Sequence, residues 1–516
     1  MRAPESKAWF SRKGPSALAL GRARVMASPL KQRALKGATW AVLGGNGAQV
    51  IAFVMFVIVS RMVGPSAFGT VAVALLLIEI CRAFTSECFG VNLVALGKFK
   101  RECFDAAFVQ AFGAAIVTAA LLSVLAPLFA MLFSIADLRD VLPLLAPLLV
   151  VHALGRLFEA ELTIRMEFRA LAFRSVAAVL VGGATGIAAA ANGLNVGALV
   201  LQQWASALLS LVLLAWPALW RPGLAFSRES FLAIARQSFA IAPANLITTT
   251  RQSIDGLAVA SFSGAAAAGV YNLAKRTRLA LQLGLTAAIG RVSLPTFAHV
   301  REDAARLANA LDQALRLAAV VAFPVFLGVA AVAPELIAVF LGPEWAGAAG
   351  PMALLMIGGA IAIATRLCDN MLLVLGRRAT IVGLHAFALA VLLAGLALVG
   401  RFGPMAAAGA VLFGGIAHNV AVWTVTQRAI PGLRLRTYLA NVWLPMTISV
   451  AMLALVALLR GGHAADGLPD IARLAVFIAI GALFYIGAIW AFARPAFRSA
   501  LGAARTILAP SSAKPT

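Results

Sequence analysis

The chain has 516 residues, of which 62% are hydrophobic and only 12% charged, and its mean hydropathy is +0.93. That is more apolar surface than a soluble globular protein has any use for, so a soluble fold is excluded. The formal charge of +23 invites nucleic acid as a partner, but the basic residues gather in short connections between apolar runs, where the positive-inside rule expects them.

Residues 1–37 carry nine Lys/Arg against one acid, Glu5. Their apolar island Ala17–Leu20 is too short for a signal-peptide core. They read as a disordered basic cytoplasmic tail, within which Met26 offers a second start. Apolar runs follow at 38–60, 68–91, 106–133, 139–160, 174–192 and 196–217. A basic cytoplasmic linker, 218–238, leads to runs at 239–262, 267–295, 311–341, 347–375, 379–400 and 404–427. Two more lie at 438–459 and 472–493, before a basic cytoplasmic tail, 494–516. Each run is long enough for a hydrocarbon core of about 30 Å, and continuous runs are unlike the alternation of barrel strands. The expected fold is all-α: a polytopic membrane protein with about 14 transmembrane helices.

Charge orients these spans. With both termini cytoplasmic, the inner links hold Lys98/Lys100/Arg101, Arg165/Arg169/Arg174, Arg221/Arg228/Arg236, Arg301/Arg306/Arg316, Arg377/Arg378 and Arg428/Arg434/Arg436. The outer links are uncharged at 192–195 and 263–268, hold Glu344 and Arg401 singly, and balance Arg139 with Asp137 and Asp140. The last outer link, Arg460–Arg473, mixes both signs. The asymmetry persists along the chain.

The stretch Val59–Ala72 (VSRMVGPSAFGTVA) recurs as Val259–Asn272 (VASFSGAAAAGVYN), which places Gly64 on Gly264 and Gly69 on Gly269. Ala126-Pro127-Leu128 answers Ala333-Pro334-Glu335, and Arg156-Leu157-Phe158-Glu159 answers Arg366-Leu367-Cys368-Asp369. Three echoes in one order argue for a duplicated unit. The halves are thus a six-helix lobe over 38–217 and another over 239–427, inserted the same way up, with residues 428–493 as two additional helices.

A charge inside a bilayer costs several kcal/mol and normally faces a partner or a water-filled cavity. Glu79 and Arg82 are three apart and can pair, with Glu87 one turn on. Arg251 and Asp255 are four apart and can pair locally; the preceding Asn245 and Thr248–Thr250 equally suit a cavity wall. Asn272, Lys275, Arg276, Arg278 and Gln282 come within three turns with no acid between Asp255 and Glu302. Lys275, Arg278 and Gln282 share a face, either snorkelling to headgroups or forming a wall that attracts phosphate or an acidic sugar. Arg291 lies deeper on the same run. The matched Arg156/Glu159 and Arg366/Asp369 pairs read as a cytoplasmic gate or a packing brace. His385 and His418 read as hydrogen-bonded core residues rather than proton relays. Prolines 127, 147, 243, 295, 324 and 334, with Gly44-Gly45, mark expected kinks. Cys81, Cys88, Cys103 and Cys368 lack CxxC or metal spacing, so neither a disulfide framework nor a metal site is expected. There is no GxxxxGK[ST], GxSxG or HExxH motif, and short outer connections leave no room for a glycosyl-transfer domain, so the chain reads as a non-enzyme.

The opening Leu35-Lys36-Gly37-Ala38-Thr39-Trp40, the turn Ser60-Arg61-Met62-Val63-Gly64-Pro65-Ser66-Ala67-Phe68-Gly69, the segment Asp255…Gly264…Gly269-Val270-Tyr271-Asn272-Leu273-Ala274 and the ending Ser293-Leu294-Pro295 resemble the polysaccharide transporter family. This is the O-antigen/exopolysaccharide flippase branch of the multidrug/oligosaccharidyl-lipid/polysaccharide exporter superfamily. The resemblance implies a transporter of the bacterial inner membrane, two lobes around a central cavity, and alternating access. It implies an undecaprenyl-pyrophosphate-linked oligosaccharide as substrate, moved to the periplasmic leaflet for lipopolysaccharide or exopolysaccharide biosynthesis. Membrane lipids and polysaccharide polymerase machinery are the further partners it implies. The family's often cationic cavities map by position onto Lys275, Arg278, Arg251 and Arg82, with Gln282, Asn272 and Asp255 beside them. No cofactor is expected; H+ or Na+ is the candidate coupling ion, with Asp255 or Glu79 as its carrier. Alternatives are a cation-coupled multidrug extruder, which would want acidic cavity residues such as Asp255 and Glu79, a lipid II flippase, and a membrane polymerase or ligase.

Overall fold

The computed structural model describes residues 47–97, 99–300, 302–462 and 467–492, with side chains for all of these except 287–292, 294, 295 and 437. The expected basic tails, the Gly44-Gly45 kink and the side chains of Arg291 and Pro295 lie outside the described residues.

Among the described residues the chain is helical and contains no strand. Helix α1 runs Gly47–Val63, α2 Pro65–Leu96, α3 Arg101–Val124 and on through Ala126–Phe133, α4 Leu138–Ile164, α5 Phe168–Ala191 and α6 Asn195–Ala215. The stretch Arg228–His299 has one non-helical residue, Gly264. Tyr271 nevertheless donates its hydroxyl proton to Asp255 at 2.8 Å, although 16 residues of straight helix would hold them ~24 Å apart. The chain therefore doubles back at Gly264, making α7 (228–263) and α8 (265–299). Then come α9, Ala304–Ala331 and on through Ala333–Phe340, α10 Pro343–Val374, α11 Arg378–Phe402, α12 Pro404–Ala429, α13 Leu435–Gly461 and α14 Asp470–Phe492. Twelve helical stretches are long and apolar enough to cross a membrane. One of them is the Gly264 hairpin, and the shorter apolar α1 precedes them all, which accounts for the difference from the count expected from hydropathy.

The repeat read in the sequence reappears as packing. In the first half α3 lies on α4, α4 on α6 and α5 on α6; in the second, α9 lies on α10, α10 on α12 and α11 on α12. The α1–α2 hairpin matches α7–α8, turning at Gly64 (φ 80°) and Gly264 (φ 76°), backbone values that side chains with a Cβ rarely adopt. Five residues on, the two hairpins cross. A Cβ on Gly69 would stand 1.8 Å from the Ala265 carbonyl oxygen, and one on Gly269 would stand 2.0 Å from that of Pro65. Small residues permit this backbone-to-backbone approach, and the contact is nearly self-symmetric.

Helices break just before Pro127 and Pro334, at matched places in the two halves, and again at Pro147. Pro243 and Pro324 are accommodated without interruption. The linker is shorter than its composition implied: α7 begins at Arg228, where Ser227 and Ser230 cap its first turn reciprocally at 3.1 Å. The preceding segment is pinned by Trp220, buried among Phe104, Phe108 and Phe158. Its indole N–H donates to Asp105 at 2.8 Å, and the Leu219 and Trp220 amides donate to buried Glu161 at 2.9 and 3.2 Å. On the opposite flank, Arg460 on α13 clamps buried Glu335 through two 2.7 Å contacts. Tyr485 on α14 donates to the Val320 carbonyl at 2.9 Å, and together these dock the last two helices onto α9.

Candidate functional site: two polar cavities

The Gly264 hairpin decides which charges are free. Asp255 on α7 faces α8 and pairs there with Lys275, whose ammonium also donates to the Gln252 carbonyl. The Tyr271 hydroxyl and the Gly256 amide complete the carboxylate's shell, at 2.8 and 2.9 Å. Of the two readings of this helix, the local Arg251–Asp255 pair is therefore not formed, because a cross-hairpin ammonium reaches the carboxylate first, and the cavity wall is, since both residues line one. Lys275 is correspondingly a neutralised interior residue, 4% exposed, and not part of an open cationic wall. Asn272 is also interior: its amide donates to the Ala268 carbonyl at 2.9 Å.

Arg278 and Gln282, further along α8, do reach open space. They join Arg251 and Asp255 of α7, Arg276 of α8, Arg366 and Asp369 of α10, His385 of α11 and His418 of α12 around a cavity of about 470 Å³, closed on another side by Gln49, Phe53 and Phe56 of α1. Arg276 lies over the rings of Phe56 and Phe68, 5.0 and 5.5 Å from their centroids, a cation–π arrangement that fixes its head. Four arginines and two aspartates line the space, and one of those aspartates is already neutralised by Lys275. Among the described residues no carboxylate lies within 4.0 Å of Arg251, Arg278 or Arg366, so the expected Arg366–Asp369 pair does not close. The two imidazoles, 5.1 Å apart between centroids, border the cavity, and His418 is a buried core residue as expected, but the expected hydrogen bonding is incomplete. Among the described residues Nδ1 of His385 and Nε2 of His418 have no partner. Nothing in the spacing of His385 and His418 announced this meeting, which needs α11 laid against α12.

A second cavity of about 280 Å³ lies between α2 and α7, lined by Glu79, Arg82, Glu87, Asn245, Thr248 and Thr249. Here α2 widens into a π-helical turn at Ala83–Glu87. Arg82 pairs with Glu87 at 3.0 Å and not with Glu79, as its spacing had suggested, because the wider turn brings the fifth residue round to its face. The matched pair in this half does form: Arg156 reaches Glu159 at 3.2 Å and Glu87 at 2.9 Å, and Glu159 lies 3.9 Å from Arg174. A ladder of ion pairs thus ties α2, α4 and α5 together. Glu79, Asn245 and Thr249 take no part in it.

Helices long and apolar enough to cross a membrane, gathering arginines around a cavity between two similarly packed bundles, define a multi-pass membrane protein of the transporter fold. The chain belongs to the polysaccharide biosynthesis protein family, whose model matches residues 58–350. It is similar to the succinoglycan biosynthesis transport protein ExoT of Rhizobium meliloti (strain 1021), at 27% identity over 62% of this chain and 65% of that one. It is also similar to the lipopolysaccharide biosynthesis protein WzxC of Escherichia coli (strain K12), at 22% identity over 82% and 87%. The fold matches the lipid II flippase MurJ in an inward closed conformation, with a TM-score of 0.74 and 14% identity over 89% of this chain and 99% of that one. An inward-facing multidrug resistance MATE family transporter of the MOP superfamily matches with a TM-score of 0.61 and 14% identity over 75% and 95%.

Proposed function

We propose that this protein is a flippase of the bacterial inner membrane that moves an undecaprenyl-pyrophosphate-linked oligosaccharide between leaflets by alternating access. The observation that carries this reading is the meeting of Arg251, Arg278 and Arg366 in one cavity with no carboxylate paired to them among the described residues. Gathering three guanidinium groups without a paired carboxylate around one cavity is costly unless an anion joins them. A pyrophosphate, with several acceptor oxygens, suits their planar donor forks. The glycan needs polar lining, and the polyprenyl tail can stay in lipid. The similarity to a succinoglycan biosynthesis transport protein and to a lipopolysaccharide biosynthesis protein supports a glycan cargo. An organic-cation extruder is disfavoured, since a cation would meet four arginines on entering.

The test is complementation of a strain lacking its own oligosaccharide flippase. Wild type should restore surface polysaccharide, and Arg251→Ala and Arg278→Ala, matched for expression, should each lower it about tenfold or more. Restoration undiminished in both variants removes the arginine cavity from the mechanism. Rescue only of a strain depleted of its lipid II flippase reassigns the substrate.

A further inference from the structure

We infer that the cleft between α2 and α7 is a carbohydrate subsite, holding the sugar residues next to the pyrophosphate while the arginine cavity holds the pyrophosphate itself. The inference rests on the function proposed above and adds to it a second site with a different chemistry.

The lining is wrong for an anion. Glu79 faces the cleft with no ion pair among the described residues and would repel a phosphate, and the Arg82 guanidinium beside it is already engaged by Glu87. It is right for a polyol, whose hydroxyls both donate and accept: carboxylates accept, the Arg82 guanidinium donates, the Asn245 amide and Thr249 hydroxyl do both, and Thr248, whose proton goes to the Ala244 carbonyl at 2.9 Å, accepts. About 280 Å³ lies near the lower end of the ~300–1,000 Å³ typical of small-molecule pockets.

Local backbone geometry supports the assignment. In an α-helix, residues five apart point about 140° away from each other. The π turn at Ala83–Glu87 brings Arg82 and Glu87 to one face instead, and π turns inside α-helices are frequent at functional sites. The helix departs from its most stable geometry where its charged side chains meet the cleft. Glu87 is then held by Arg82 and Arg156. Glu79, Asn245 and Thr249 have no hydrogen bond or ion pair among the described residues, so their polar atoms are uncommitted to the fold.

Position supplies the remaining argument. Thr248 and Thr249 line the cleft, whereas Arg251, Gln252 and Asp255 line the arginine cavity. Thr248 and Arg251 are one turn apart on α7, ~4.5 Å along its axis. A ligand in which a sugar is joined directly to a diphosphate can therefore reach both sites across a single turn of one helix.

Binding to the purified full chain in lipid nanodiscs separates the two sites. The probes are sugar-free undecaprenyl pyrophosphate and the lipid-linked oligosaccharide extracted from the strain that wild type complements. Thr249→Val, which keeps the side-chain shape, and Asn245→Ala should each reduce the affinity for the glycosylated lipid relative to the sugar-free lipid by about tenfold. Arg251→Ala should weaken both ligands alike. An unchanged affinity ratio in both cleft variants overturns the subsite. If wild type binds neither lipid, the flippase reading fails, and the subsite fails with it. Thermal unfolding confirms the fold of each variant, and Thr249→Val alone suffices should Asn245→Ala not fold.

Discussion

A carboxylate on a membrane helix binds whichever cation the fold brings within reach. Asp255 has Arg251 four residues away but pairs with Lys275 of the facing helix, supported by the Tyr271 hydroxyl. The α8 polar residues thus divide into two roles. Lys275 stabilises the hairpin, whereas Arg278 and Gln282 face the cavity. Removing one partner of a buried pair strands the other charge, so Lys275→Ala should cost about 3–5 kcal/mol of stability, and Lys275→Ala with Asp255→Ala much less. Arg278→Ala, which breaks no ion pair among the described residues, should unfold at nearly the wild-type temperature. Thermal unfolding in detergent, arranged as a double-mutant cycle, checks all three. Comparable losses for Lys275→Ala and Arg278→Ala would contradict the division.

The elements that move most informatively are the two glycine-turned hairpins. Their crossing at Gly69 and Gly269 leaves no room for a Cβ, and the obstacles are the carbonyl oxygens of Ala265 and Pro65. Backbone cannot swing aside as a side chain can. Gly69→Ala or Gly269→Ala must therefore prise the hairpins apart and favour a state open on that face. Gln49 on α1 lines the arginine cavity. In a variant whose four cysteines are replaced, a cysteine at position 49 should react several-fold faster with a membrane-impermeant maleimide applied to the hairpin face once Gly69 becomes Ala. Unchanged labelling in a folded variant would show that the crossing is no barrier to access.

At the scale of the whole molecule, two similarly packed halves meet at the reciprocal Gly69/Gly269 crossing, and a third unit, α13–α14, is held against α9. The clamp between Glu335 and Arg460 shows how that unit is fastened: the carboxylate is 5% exposed and accepts two charged hydrogen bonds. The orientation of the assembly belongs to the charge of its links. Alkaline phosphatase fused after Asn192 should be active and its fusion after Arg377 inactive, while a C-terminal fluorescent protein should fluoresce, if both termini are cytoplasmic. The reverse pattern would invert the topology.

Much of this was written in the chain. Continuous apolar runs determined the helices, because a bilayer requires every backbone amide to be satisfied within its own segment. The Gly64/Gly264 and Pro127/Pro334 echoes determined the repeat, because equivalent turns need equivalent residues. The Arg156–Glu159 pair was legible because its partners lie on one helix face. What the sequence left open was the choice between competing partners for one charge. Arg251 against Lys275 for Asp255, and Glu79 against Glu87 for Arg82, are decided by where a hairpin folds back and where a helix takes a π turn. The convergence of Arg251, Arg278, Arg366, His385 and His418 on one cavity is decided by five helices packing at once. Side chains within one helical turn interact at a fixed spacing that can be read from the sequence, whereas contacts between helices depend on crossing geometry that no short stretch encodes.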